Sequence, residues 1–165
     1  ADIVDGRIDH ETTSNFGVFR TGTSQTNIVC DYAEIAGEVR SLSNSKLDKY
    51  LQYFEEHCTS VAKENGAVAE VSYYVPYRSF KVAPDHEIVN IAKSAMKKIS
   101  VDSYVEANGG GLDANNFTAN GIVSIGFGMG YYLNHTNDEY IEIEDLIKSG
   151  ELVYSLIQEY SRLKN

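Results

Sequence analysis

Both prolines of this 165-residue chain, Pro76 and Pro84, fall in one short stretch. Proline fixes φ, lacks a backbone N–H and drives the residue before it into extended backbone. The stretch therefore reads as a connector, and a domain boundary is expected near Phe80–Ala83. That gives two parts, residues 1–82 and residues 83–165. Their apolar patterns differ: strand-like runs followed by one long helix come first, and alternating helix and strand come after.

In the first part, residues 1–40 read as β-structure. Phe16 and Val18 alternate with Gly17 and Phe19, and the run stops in a Thr-Gly-Thr-Ser turn at 21–24. Ile28 and Val29 open a second run. It continues as Tyr32, Glu34, Ala36 and Glu38 against Ala33, Ile35, Gly37 and Val39, a period of two with one apolar face. Then the period changes. Leu47, Leu51, Phe54, Cys58 and Val61 recur at steps of four and three, which is one helical stripe. Ser45 with Asp48 suggests a capping box at its start, and Gly66 suggests a left-handed cap at its end. Ala67–Val75 alternates again and reads as a strand. The class expected for this part is α+β.

The second part reads as an α/β layer. Asp85 is placed to cap a helix with Ile88, Ala92, Ala95 and Ile99 inward and Lys97 and Lys98 near its C-terminus. Val101–Ala107 reads as a strand, Asp113–Ala119 as a short helix closed by Asn120-Gly121, and Ile122–Phe127 as a buried strand. The last helix is expected over Glu142–Leu163, with Gly150 marking close packing within it.

Net charge is −10. Nucleic-acid binding needs clustered cations that displace counterions, so this balance argues against it. No apolar run approaches the length of a membrane span. The opening residues lack the basic region and apolar stretch of a secretion signal. Cys30 and Cys58 are too few for a disulfide framework, and a reducing, cytoplasmic setting fits them.

Three places carry chemistry. Asn108-Gly-Gly-Gly-Leu-Asp-Ala-Asn115 lies between a strand and a short helix, where glycines permit close approach of a ligand to the backbone. It matches neither the dinucleotide fingerprint nor the P-loop, and a tight turn explains it as well. Asn134-His-Thr-Asn-Asp-Glu-Tyr140 puts His135 in a polar loop after a buried strand, where α/β folds hold ligands. Asp138 or Glu139 is in reach to orient its ring, although a loop histidine can also be merely solvated. Asn27 and Arg40 bracket the second strand run. An arginine at a strand end can grip a carboxylate with two parallel hydrogen bonds, or simply face water.

Taken in order, Thr-Asn-Ile-Val, Gly-Glu-Val-Arg-Ser-Leu, Gly-Gly-Gly-x-Asp-Ala-Asn and Gly-Phe-Gly-Met-Gly…His-Thr-x-Asp-Glu-Tyr-Ile resemble the peptidase T-like zinc peptidases. That family also includes carboxypeptidases and aminoacylases. The opening Gly6–Gly17 is similar too, so the resemblance spans essentially the whole chain.

The resemblance implies a catalytic α/β domain with two zinc ions and an inserted α+β lid that commonly forms a dimer. Residues 1–82 correspond to most of the lid, lacking its start, and residues 83–165 to the last section of the catalytic domain. His135 matches a zinc ligand. Asn27 and Arg40 match lid residues that bind substrate, Arg40 at the peptide carboxylate and Asn27 at the scissile carbonyl. Gly110 and Gly111 match the glycine-rich lining of the substrate site. Two positions depart from the pattern: Leu112 stands where the family has Ser or Thr, and Cys30 where it has Pro. The other zinc ligands and the catalytic glutamates have no counterpart here, so no catalytic residue is assigned. His10, His57 and His86 read as structural or solvated. The expectation is a fragment of a short-peptide hydrolase, inactive alone. The alternatives are a carboxylate-binding or dimerisation module that never held metal, and an amino-acid deacylase of the same zinc family.

Overall fold

A computed structural model describes residues 5–163. The elements are β1 (Gly6–Arg7), β2 (Thr12–Thr21), β3 (Ala33–Ser41), α1 (Asn44–Glu64), α2 (Glu87–Lys98), α3 (Asp113–Ala119), β4 (Tyr131–Tyr132), β5 (Tyr140–Ile141) and α4 (Ile143–Leu163). They divide into two compact units. One runs to Ser79 and takes in Asn108–Gly110; the other holds Phe80–Ala107 and the chain from Gly111 onward.

The first unit is an antiparallel sheet in the order β1-β2-β3, with α1 against it. Thr12 pairs with Ser41 and Ser14 with Val39, but Val18 pairs with Ala36 and Phe19 with Ile35. The register therefore shifts by one between Asn15 and Val18, a β-bulge. The shift corrects the strict alternation expected for Phe16–Phe19. Phe16 and Phe19 now share a face, and Val18 turns to the other. Phe16 stacks on Phe54 of α1 with centroids 5.2 Å apart and planes 11° apart. Beneath it Thr12 and Ser14 are buried, and Thr12 Oγ1 lies 3.0 Å from Ser41 Oγ. Phe19 and its partner Ile35 stay exposed, so the apolar face is covered at one end only.

The bulge explains Gly37. A Cβ there would lie 2.4 Å from the Asn15 carbonyl oxygen and 2.6 Å from Phe16 Cδ1. Only a residue without a side chain lets the bulged strand come this close.

Helix α1 starts two residues earlier than the Ser45 box predicts. Ser43 is its N-cap and accepts from the Lys46 N–H at 3.4 Å. Two features fix this start. Lys46 bridges Asp9 at 2.9 Å and Glu11 at 2.6 Å in the β1–β2 turn, and this holds the Asp9 carboxyl down at about 2. Asn44 binds Ser79 through three hydrogen bonds of 3.0 to 3.1 Å, pinning the end of the connector to the first turn. At the far end Gly66 has φ +71°, and Ala67 N–H donates to Ala62 O while Gly66 N–H donates to Lys63 O. That is the Schellman closure expected of a left-handed glycine.

In the second unit α2 packs on α4. Val89, Ala92 and Ala95 are buried, and the buried Ser155 hydroxyl donates to the Ala95 carbonyl at 2.9 Å. Small residues at this crossing let the backbones approach. Lys98 pairs with Glu159 beside it, which lowers the Glu159 carboxyl. The cap of α2 is His86, whose Nδ1 accepts from Ile88 N–H at 3.2 Å; the expected Asp85 cap is not used. Helices α2 and α3 close as α1 does, through Ser100 at φ +58° and Gly121 at φ +85°.

The strands expected over Ala67–Val75, Val101–Ala107 and Ile122–Phe127 are absent as ladders among the described residues. A strand needs a neighbour for its N–H and C=O groups, and these segments have none here. Val68 is 90% exposed, Tyr104 81% and Ile122 60%, so the buried-strand expectation for Ile122–Phe127 is corrected too. An open apolar cavity of about 400 Å³ is bordered by Ile88, Ile91, Phe117, Val123 and Leu156.

Gly150 corrects another expectation. Helix α4 runs through it, yet a Cβ there would meet nothing within 4 Å. The two glycines thus predict opposite outcomes in chemical denaturation. Gly37→Ala should destabilise by about 1–3 kcal/mol through overpacking. Gly150→Ala should stabilise by about 0.5–1 kcal/mol by removing backbone freedom from the unfolded chain. Equal effects at the two sites would sink this account.

Candidate functional site

Arg40 is the penultimate residue of β3, opposite Thr13 of β2. Residues two apart on a strand share a face, so Glu38 lies beside it. The guanidinium meets this carboxylate side-on: Nε lies 2.9 Å from Oε1, and Nη2 donates to Oε2 at 3.1 Å. This is the planar fork that arginine offers any carboxylate. The hydrogen bond it donates to Glu38 raises the Arg40 pKa further. Both side chains are about half exposed, so the pair contributes only about 0–1 kcal/mol to stability. Sequence reading found Arg40 but missed its partner, although the two-residue spacing was a usable signal.

Contrary to expectation Asn27 does not begin a strand; it sits in a turn at Thr26–Asn27 and is exposed. The ladder ends at Thr21↔Ala33, so residues 22–32 form a loop, tied at its neck by Gly22 N–H to Tyr32 O at 2.9 Å. Ile28 and Val29, expected to open the strand, are 57% and 94% exposed in this loop. Cys30 in the same loop donates its thiol to Tyr32 O at 2.7 Å.

The glycine stretch leads into α3. Gly110 N–H donates to Asn108 Oδ1 at 2.6 Å. Neither Gly109 nor Gly110 has a positive φ, and a Cβ at Gly109 would meet nothing within 4 Å. Glycine is therefore not demanded at 109 by crowding within the chain. Gly111 immediately precedes the N-cap, Leu112. Leucine has no oxygen to cap with, so the buried Asn115 does the work from the other side: its Oδ1 accepts from Leu112 N–H at 3.0 Å.

His135 lies at the tip of the β4–β5 hairpin, where Tyr132 stacks on Tyr140 with centroids 5.1 Å apart. The tip is bent sharply, with Leu133 at φ +54° and His135 at φ +66°. Non-glycine residues in this region signal a conformation held by its surroundings. The hold is visible: Thr136 Oγ1 donates to Leu133 O at 2.7 Å, Asp138 N–H to Thr136 Oγ1 at 3.2 Å, and His135 N–H to Glu139 Oε2 at 2.8 Å. Glu139 thus fixes the backbone of His135, where orientation of its ring was expected. The imidazole is left exposed.

His10 is exposed beside Glu11, and His57 stacks on Tyr53 at 5.7 Å. Among the described residues no three His, Cys, Asp or Glu side chains are grouped to hold a metal ion. His135 is a single donor, and a zinc site needs about three protein ligands. The described residues do not by themselves fit a zinc ion. Asn27 and Arg40 belong to the first unit and His135 to the second.

The chain belongs to peptidase family M20/M25/M40, whose model matches residues 5–159. Among solved structures it is similar to the aminopeptidase PepT of Bacillus cereus, with a TM-score of 0.84 at 42% identity. It is also similar to a tripeptidase of Staphylococcus aureus, with a TM-score of 0.89 at 30% identity. Each comparison covers 96% of this chain and 42% of the other. The uncharacterized protein YqjE of Bacillus subtilis is 41% identical over 157 residues, which is 95% of this chain and 42% of that protein. The chain therefore spans less than half the length of these relatives. Its mixed α/β architecture is that of the peptidase T-like structures. No helix among the described residues is long and apolar enough to cross a membrane.

Replacing Glu139 with Ala should leave the His135 N–H without its partner and speed its hydrogen exchange severalfold. Glu139→Gln keeps an acceptor oxygen and should restore most of the protection. Unchanged exchange in Glu139→Ala would mean that the tip is held by Thr136 alone.

Proposed function

We propose that this chain is part of a metal-dependent peptidase acting on short peptides. One observation supports the reading most: 96% of the chain superposes at TM-scores of 0.84 and 0.89 on enzymes described as an aminopeptidase and a tripeptidase. In this reading residues 1–82 are most of a lid that pairs two subunits, and residues 83–165 are a section of the catalytic domain.

Arg40 grips the carboxylate end of the peptide, and its fork geometry with Glu38 is what that role needs. Asn27, exposed in its loop, donates a hydrogen bond to the scissile carbonyl. Gly110 and Gly111 line the substrate site through backbone groups, and the open space at Gly109 agrees with this. His135, exposed on a hairpin tip that its neighbours hold in place, is one metal donor. The proposed metal is zinc, two ions in the whole enzyme, with the remaining donors on residues outside this chain. The enzyme is cytoplasmic, and the chain alone does not hydrolyse peptides.

Calorimetric titration of the chain with zinc at neutral pH tests this reading. Binding should be weak at most, and any that is seen should vanish in His135→Ala. Tight stoichiometric binding, or tripeptide hydrolysis by the chain with zinc added, would overturn the assignment of His135 as one donor of a larger site.

A further inference from the structure

Arg40 is not idle in this structure. The Nε–Nη2 edge of its fork already holds a carboxylate, at 2.9 and 3.1 Å, and that carboxylate belongs to Glu38 on the same strand face. The next acidic residue along that face, Glu34, is engaged elsewhere: Arg20 of β2 donates to it at 3.0 Å. A peptide carboxylate reaching for Arg40 must therefore meet the fork from a different side or take the place of Glu38.

We infer that Glu38 is an internal stand-in for the substrate carboxylate, a residue that sets how tightly Arg40 holds the free C-terminus of a peptide. The inference rests on the proposed role of Arg40. The physical logic is competition. An exposed ion pair of this kind is worth little, so a ligand can displace it, yet it is always at hand and lowers the apparent affinity of every competitor. The choice between an acid and an amide stays with Arg40 itself, because the same factor applies to both. A carboxylate replaces Glu38 like for like, whereas a C-terminal amide offers one neutral oxygen and cannot regain the second charged bond. Glu38 thus weakens the binding of acids and of neutral ends by the same modest factor.

The test is a titration of the 15N-labelled chain with trialanine and with trialanine amide, followed at the Arg40 side-chain Nε–H. With Glu38→Gln, trialanine should bind about two- to five-fold more tightly, the factor an exposed ion pair represents. Glu34→Gln removes the same charge from the same face and should leave the affinity unchanged. Arg40→Met should abolish carboxylate-dependent binding in every background. Equal affinity in wild type and Glu38→Gln, with Arg40→Met still abolishing binding, would overturn the role of Glu38 while leaving that of Arg40. An equal gain in Glu34→Gln would reduce the effect to net charge and also overturn it. No carboxylate-dependent shift at Arg40 in wild type or Glu38→Gln would remove the reading of Arg40 and the inference with it.

Discussion

Backbone pairing is the constraint from which the rest of this molecule follows. A peptide group away from water must give its N–H and C=O to a partner. Strands β2 and β3 give theirs to each other, and that pairing supports α1, buries Thr12 and Ser14, and sets Arg40 beside Glu38. Three further segments have strand-like sequence and no ladder among the described residues, so many of their apolar side chains stay exposed and the buried apolar set among the described residues is small. The helices do not share this dependence, because their hydrogen bonds are internal. Each therefore forms where its local sequence dictates.

That difference also decides what could be read in advance. The long stripes of α1, α2 and α4 and the glycine caps at 66 and 121 are local signals, and the elements lie close to where the pattern puts them. The ladder status of Ala67–Val75, Val101–Ala107 and Ile122–Phe127 is a property of two segments at once, and periodicity reports only one. The bulge is of the same kind: nothing in Phe16–Phe19 alone says that the strand opposite will present Gly37. Cap identity failed for a smaller reason. Ser43 and Ser45 are both good N-caps, and tertiary ties at Asn44 and Lys46 chose between them.

The candidate site divides along the same line. His135 and Arg40 could be picked out because residue type and position each pointed to chemistry. What holds them was legible only in part: Glu139 was named, but the carboxylates of Glu139 and Glu38 turn to partners that the folded backbone settles, a main-chain N–H in one case and a neighbouring guanidinium in the other. Two acidic residues set the posture of the two residues of interest, and of these the sequence pointed only to Glu139, at the ring of His135 and not at its backbone.

The bulge between Asn15 and Val18 has a consequence for how this strand can change over time. On one side of it paired residues follow one register, Thr12↔Ser41; on the other they follow a register offset by one, Phe19↔Ile35. Deleting a single residue at Phe16 or Gly17 would merge the two into one continuous ladder and keep every other cross-strand partner. A deletion anywhere else in β2 would turn a run of side chains to the wrong face. Relatives that differ in length inside this hairpin strand should therefore carry their gap here, and those without the extra residue have no need of glycine at the position of Gly37.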